Sequence, residues 1–264
     1  VNWIAELRPD YLYYLSSYLF SLLFSFEFFL AVIGTLFFYS IARFLRNFIG
    51  MSYWIPFFLA GCFFYPSYIS ASELVIRQGI GFIVLFFSSF YFGFVSLRRK
   101  IACVLLASLF HSGFLFYLLI VWINKKIINN LKSAMPLWML VTVLYILNVP
   151  AYLVDFLPSL EYFGRSLDGY VEAEYVVGFK LSFALLSAVP VVLLIYPGFS
   201  RYVRRDTERE HIYVLYLLSN SCGMLFSGFG YYDRVMLFSW VLVPLIFCNF
   251  IYWIFSIRRR IAIG

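Results

Sequence analysis

Charge is scarce in this sequence, where only 12% of the residues are Asp, Glu, Lys or Arg, so the few polar side chains inside apolar runs are the natural candidates for chemistry. Arg77 and Gln78 open one apolar run, and His111 lies in another, between Ser108-Leu109-Phe110 and Ser112-Gly113. Tyr232, Asp233 and Arg234 stand at the head of the last run, after Gly230-Tyr231. An arginine is a fixed planar fork of donors that matches phosphate oxygens, so Arg77 and Arg234 suggest a clamp for a phosphorylated ligand. The plain alternatives are a snorkelling Arg77 paired with Glu73 one helical turn earlier, and an Arg234 paired with Asp233. From position alone the two readings of Arg77 weigh equally. His111 has the residue type to shuttle a proton near neutral pH. Against that, a lone histidine in an apolar helix more often serves as hydrogen-bonded structure.

A third group lies between residues 154 and 179, the longest polar loop. It carries Asp155, Glu161, Asp168, Glu172 and Glu174 against the single cation Arg165, interleaved with Tyr162, Phe163, Tyr170 and Tyr175. Aromatic faces beside carboxylates suit sugar rings, and a carboxylate such as Asp168, Glu172 or Glu174 could take the proton of a sugar hydroxyl. An ordinary solvated loop has the same composition. Metal chemistry has no ligand set: the only other histidine is His211, and Cys62, Cys103, Cys222 and Cys248 sit singly in apolar runs. No cofactor is expected.

The elements that position these residues must lie in a membrane. Hydrophobic residues make up 64% of the chain, against about 45–50% in soluble domains. A spanning helix needs about 20 apolar residues. The runs predict a short embedded helix near 11–23 and spans near 27–43, 51–69, 78–97, 135–153, 180–197, 211–229 and 236–256. The fold class is all-α, a single polytopic transmembrane bundle over residues 1–264. The chain opens on Val1 rather than Met, which reads as a piece of a longer protein or an unusual start, and shows no cleavable signal peptide.

Orientation comes from the basic residues. Fifteen of the 20 lysines and arginines fall in five clusters, at 43–46, 98–100, 125–132, 201–209 and 258–260. The positive-inside rule assigns all five to the cytoplasm, the C-terminus with them, and the acidic loop to the outer face. The net charge of +7 therefore reads as topology rather than as nucleic-acid binding. The stretch 101–123 has basic clusters on both sides. Keeping both inside requires a re-entrant hairpin that turns at His111-Ser112-Gly113, and non-helical backbone at that depth must line a protein-enclosed cavity.

Glu73-Leu-Val-Ile-Arg77-Gln78, the basic turn at Arg98–Lys100 and Ala107-Ser-Leu-Phe-His111-Ser112-Gly113 together resemble the EpsG-like family of Wzy-type polymerases. These make bacterial O-antigen, capsule and exopolysaccharide from repeat units. Tyr231-Tyr232-Asp233-Arg234 resembles the arginine motif before that family's last helices. The tight likeness covers about residues 70–125. Members carry more N-terminal helices than this chain shows. The resemblance implies an enzyme of the bacterial inner membrane, active on the periplasmic side. It would transfer a growing glycan from undecaprenyl diphosphate onto the next lipid-linked repeat unit, with a flippase and a chain-length regulator of the same pathway as partners. Arg77, Arg234, Arg165, Gln78 and Tyr232 would then bind diphosphate or sugar, and His111 or a loop acid would be the base. Two other classes fit a helical membrane protein with buried cations. One is a transporter or flippase of lipid-linked sugars, the other a membrane acyltransferase acting on polysaccharide.

Overall fold

A computed structural model describes residues 10–49, 76–88, 90, 91, 94–154, 161, 162, 165, 166, 177–229 and 232–263. The fold is all-α apart from one small hairpin. Its contacts divide the chain into two compact units, residues 1–122 with 251–264, and residues 123–250.

The first unit starts with helix α1 (Tyr11–Ser21), followed by α2 (Phe26–Ile49), α3 (Ile76–Phe87) and α4 (Leu97–Ser108). A single 3-10 turn, Ser112–Leu115, then leads into α5 (Phe116–Lys126). The expected embedded helix near 11–23 is α1, and the expected span 27–43 lies within α2. The expected span 51–69 falls outside the described residues. The run 78–97 is not one helix: α3 stops after 12 residues, and Ser96 caps a new one by accepting a hydrogen bond from the Arg99 N–H. Aromatic side chains join α2 to α3. Phe44 meets the Phe86 ring edge-on at 5.6 Å, and Phe37 meets it at 6.5 Å. The run 101–123 is broken at residues 109–111, which overlap the expected turn at His111, while Ser112 and Gly113 already belong to the 3-10 turn. His111 there is extended (φ −155°, ψ 114°).

The second unit contains α6 (Leu131–Ile146), α7 (Val149–Val154), the two-residue strands β1 (Glu161–Tyr162) and β2 (Arg165–Ser166), α8 (Leu181–Ile195), α9 (Pro197–Arg204), α10 (Thr207–Leu225) and α11 (Tyr232–Trp240). The last helix, α12 (Val243–Ile263), begins here. The strands pair antiparallel, Glu161 with Ser166 and Tyr162 with Arg165. Pro197 cannot continue α8, so α9 leaves it at 89°. Asp206 caps α10, accepting from the N–H groups of Glu208 and Arg209, so this helix begins four residues before the apolar run that predicted it.

Asn220 at the core of this unit ties four helices together. Its Oδ1 accepts from the Trp138 indole at 2.8 Å, and its Nδ2 donates to Ser187 and Ser239 at 2.9 Å each. Such bonds between apolar helices replace the hydrophobic drive that lipid does not supply.

By length and apolar character, two described helical runs can each cross a bilayer, Phe26–Phe48 and Tyr232–Ser256, and the bent pair α8–α9 makes a third if it is one span. The chain is thus a polytopic helical membrane protein.

Candidate functional site

The candidate site of the first unit assembles around a residue that the sequence did not single out. Asp10 stands at the head of α1 in the left-handed region (φ 81°, ψ 31°), and its side chain makes no cap bond to its own helix. It crosses instead to two other elements. Oδ2 pairs with the Arg77 guanidinium at 2.6 Å, and Oδ1 accepts the Ser112 N–H at 2.6 Å. The His111 imidazole faces the same Oδ1, with Nδ1 3.8 Å away, a distance of charge attraction rather than hydrogen bonding. Arg77, separated from His111 by a helix and a turn in the sequence, therefore shares one carboxylate with it.

Local structure explains why these groups meet. Breaking the helix at 109–111 leaves carbonyls at the end of α4 without helical partners. One of them, Leu109 O, accepts the Leu12 N–H at 3.0 Å, which docks the head of α1 against the break. Arg77 lies in the first turn of α3, with its guanidinium 5.9 Å from the Tyr13 ring of α1. Gly81 allows the close approach of α3 to the turn, and Gly113 leaves room for His111 within the turn. A Cβ on Gly81 would land on the Phe114 ring, and one on Gly113 would come within 3.1 Å of His111 Nε2. Phe114 in turn stacks edge-on against Phe82 at 5.1 Å.

Asp10 is nearly inaccessible, 5% exposed, whereas the Arg77 side chain is 37% exposed. Burial by itself would raise the Asp10 pKa. The imidazole of His111, the Ser112 N–H and the Arg77 guanidinium outweigh it and hold the carboxyl below its ordinary value. The carboxylate is thus charged and fully used. Arg77 donates to it through one nitrogen of its five-donor fork. Among the described residues, His111 Nδ1 has no hydrogen-bond partner. Gln78, next to Arg77, is fully buried.

The other expected residues belong to the second unit. Tyr232 is buried, and its hydroxyl closes a chain of hydrogen bonds. The Lys180 N–H donates to Tyr145 Oη at 2.9 Å, the Tyr145 and Tyr232 hydroxyls lie 3.0 Å apart, and Tyr232 donates to Gly178 O at 2.8 Å. Asn148, itself left-handed at φ 58°, accepts the Phe179 N–H, and Gly178 donates to Ser227 O. Together these bonds pin residues 178–180, the end of the acidic loop. The Lys180 ammonium sits 4.8 Å from the Phe183 ring and 5.8 Å from that of Tyr232. Neither Lys180 nor Tyr145 carried a signal in the sequence beyond polarity at a helix end. Arg234 is half-buried in the first turn of α11. Arg165 lies in β2, and only its backbone is described. Asp168 and Glu172 fall outside the described residues.

This arrangement brings the Arg77 guanidinium and the His111 imidazole to the two oxygens of one charged carboxylate. No curated protein and no solved structure matches the chain. A sequence model of the EpsG family matches residues 2–263, nearly the whole length; EpsG-like proteins are Wzy-type polymerases, and the chain belongs to this family.

Proposed function

We propose that the protein polymerises lipid-linked oligosaccharide repeat units, moving a growing glycan from undecaprenyl diphosphate onto the next unit at the periplasmic face of the bacterial inner membrane. The observation that carries this reading is the partly exposed side chain of Arg77, anchored through a buried carboxylate beside His111. A hydroxyl oxygen of the acceptor sugar attacks the anomeric carbon of the donor. The bond from that carbon to the diphosphate oxygen breaks, and its electron pair leaves with the lipid diphosphate. The hydroxyl proton passes to His111, with the loop acids Asp168 and Glu172 as the other candidates for that role. Arg77 meets the charge that develops on the leaving oxygen, and a preorganised cation in a water-poor site stabilises it strongly. Gln78, Tyr232, Arg165 and Arg234 are proposed to hold diphosphate or sugar, with Gln78 and Tyr232 acting from buried positions. The donor carries its own activated bond, so the chemistry calls for no cofactor.

The test is the polysaccharide ladder of cells that lack this protein, complemented with wild type, Arg77→Ala or Arg77→Lys at matched membrane levels. Single repeat units are expected without the protein and a full ladder with wild type. Arg77→Ala is expected to lose about 10²–10³ in rate, as when one preorganised donor is removed. Arg77→Lys keeps the charge and loses the fork, so it is expected to restore only short chains. A normal ladder in the deletion strain would overturn the reading.

One observation favours a second reading, transport of a lipid-linked sugar. Each unit contains an interrupted helix, at 109–111 and at Tyr196, and transporters form sites from broken helices. Loss of a flippase leaves no repeat units on the final acceptor, whereas loss of a polymerase leaves single ones.

A further inference from the structure

We propose that Asp10 is the positioning residue of this site, holding the Arg77 guanidinium with one carboxylate oxygen and orienting the His111 imidazole with the other. The inference rests on the proposed polymerase reading for its catalytic consequence, but not for the contacts themselves.

Three observations carry it. First, the geometry is specific. The two oxygens of one buried carboxylate divide their work, Oδ2 to Arg77 at 2.6 Å and Oδ1 to the Ser112 N–H at 2.6 Å, with His111 Nδ1 3.8 Å from Oδ1. Second, the backbone is arranged for this contact rather than for the helix. Asp10 occupies the left-handed region, which costs a non-glycine residue energy, and its side chain does not cap α1. A cap aspartate would have bonded the N–H groups of the first turn. Third, the two ring nitrogens of His111 face different groups. Nδ1 of His111 points to Asp10, while Nε2 lies over Gly113, where any side chain would crowd it. A carboxylate behind an imidazole orients the ring and stabilises its protonated form once Nε2 has taken a proton. Among the described residues, the charged groups that meet here are Asp10 from α1, Arg77 from α3 and His111 from the turn.

Asp10 thus links the two chemical roles, fixing the anion site relative to the base. Substituting Asp10→Asn keeps an acceptor for the Ser112 N–H and removes the charge. The sequence contains only two histidines, so the imidazole NMR signals of His111 in the full-length protein are unambiguous once His211→Gln has identified the other set. Relative to wild type at the same pH, Asp10→Asn is expected to displace the His111 imidazole nitrogen signals, because the oxygen 3.8 Å from Nδ1 loses its charge. Asp10→Glu, which keeps the charge, restores them in part. In chain growth from lipid-linked repeat units, Asp10→Asn lowers kcat about ten- to a hundredfold, and Asp10→Glu recovers part of the loss. Unmoved His111 signals in Asp10→Asn overturn the inference whether or not the protein is a polymerase. So does loss of Asp10→Asn from the membrane, which would make Asp10 a folding residue. Displaced signals in Asp10→Asn, with a wild-type protein that grows no chains, would overturn the polymerase reading and leave the Asp10 contact standing.

Discussion

At the scale of single residues, the site turns on a carboxylate that composition alone could not rank. Arg77, Gln78 and His111 were legible because each interrupts an apolar run. Asp10 was not, because it ends a polar segment that also contains Glu6 and Arg8, where one more acid carries no signal. Its importance comes from tertiary contacts with residues 67 and 102 positions away. Glu73, the partner of Arg77 in one of its two readings, lies outside the described residues; the described partner is Asp10. Because the Asp10 pKa lies below the ordinary aspartate value of about 3.9, its ties stabilise the fold fully above that pH and are lost as pH falls through the lower folded value. Thermal unfolding in detergent is therefore expected to show wild type above Asp10→Asn at about pH 5, with the gap closing as the pH falls below about 4. A gap that goes on widening below about pH 4 would contradict the assigned direction.

At the scale of elements, the break at His111 was readable and the shortness of α3 was not. His111-Ser112-Gly113 between two apolar segments, with basic clusters on either side, suggests an interruption, and the α-helix ends just before it, at Ser108, with a 3-10 turn from Ser112. The run 78–97 offered no comparable signal. Beyond its end, Tyr91 packs against Phe44 and Phe90 against Tyr117, and Ser96 caps the next helix, none of which apolar periodicity reports. Likewise the run 135–153 is divided at Asn148, whose left-handed backbone and side-chain bond to Phe179 serve the end of the acidic loop. The approach of α3 to the turn depends on Gly81 and Phe114. Gly81→Ala puts a methyl group where the Phe114 ring lies, so the ring and the turn must shift. Overpacking of this kind costs about 1–3 kcal/mol. Thermal unfolding should show that loss, and chain growth should fall further than stability does, since the displaced turn carries His111. Unchanged stability would mean that the two elements slide freely past one another.

At the scale of the whole molecule, composition indicated a polytopic membrane protein, and the helical architecture and the family match over residues 2–263 agree. What composition could not provide is the chemistry, because lipid-facing leucine and phenylalanine are the same in an enzyme and a transporter. The distinction rests on a small charged centre in one unit, where an arginine, an aspartate and a histidine are drawn together from three elements. The most direct measurement is turnover by the purified protein in lipid vesicles, supplied only with repeat units on undecaprenyl diphosphate. The account predicts glycan chains at every integer multiple of the repeat, with one lipid diphosphate released for each unit added and no such growth with Arg77→Ala. Movement of repeat units across the bilayer without any new glycosidic bond would contradict it.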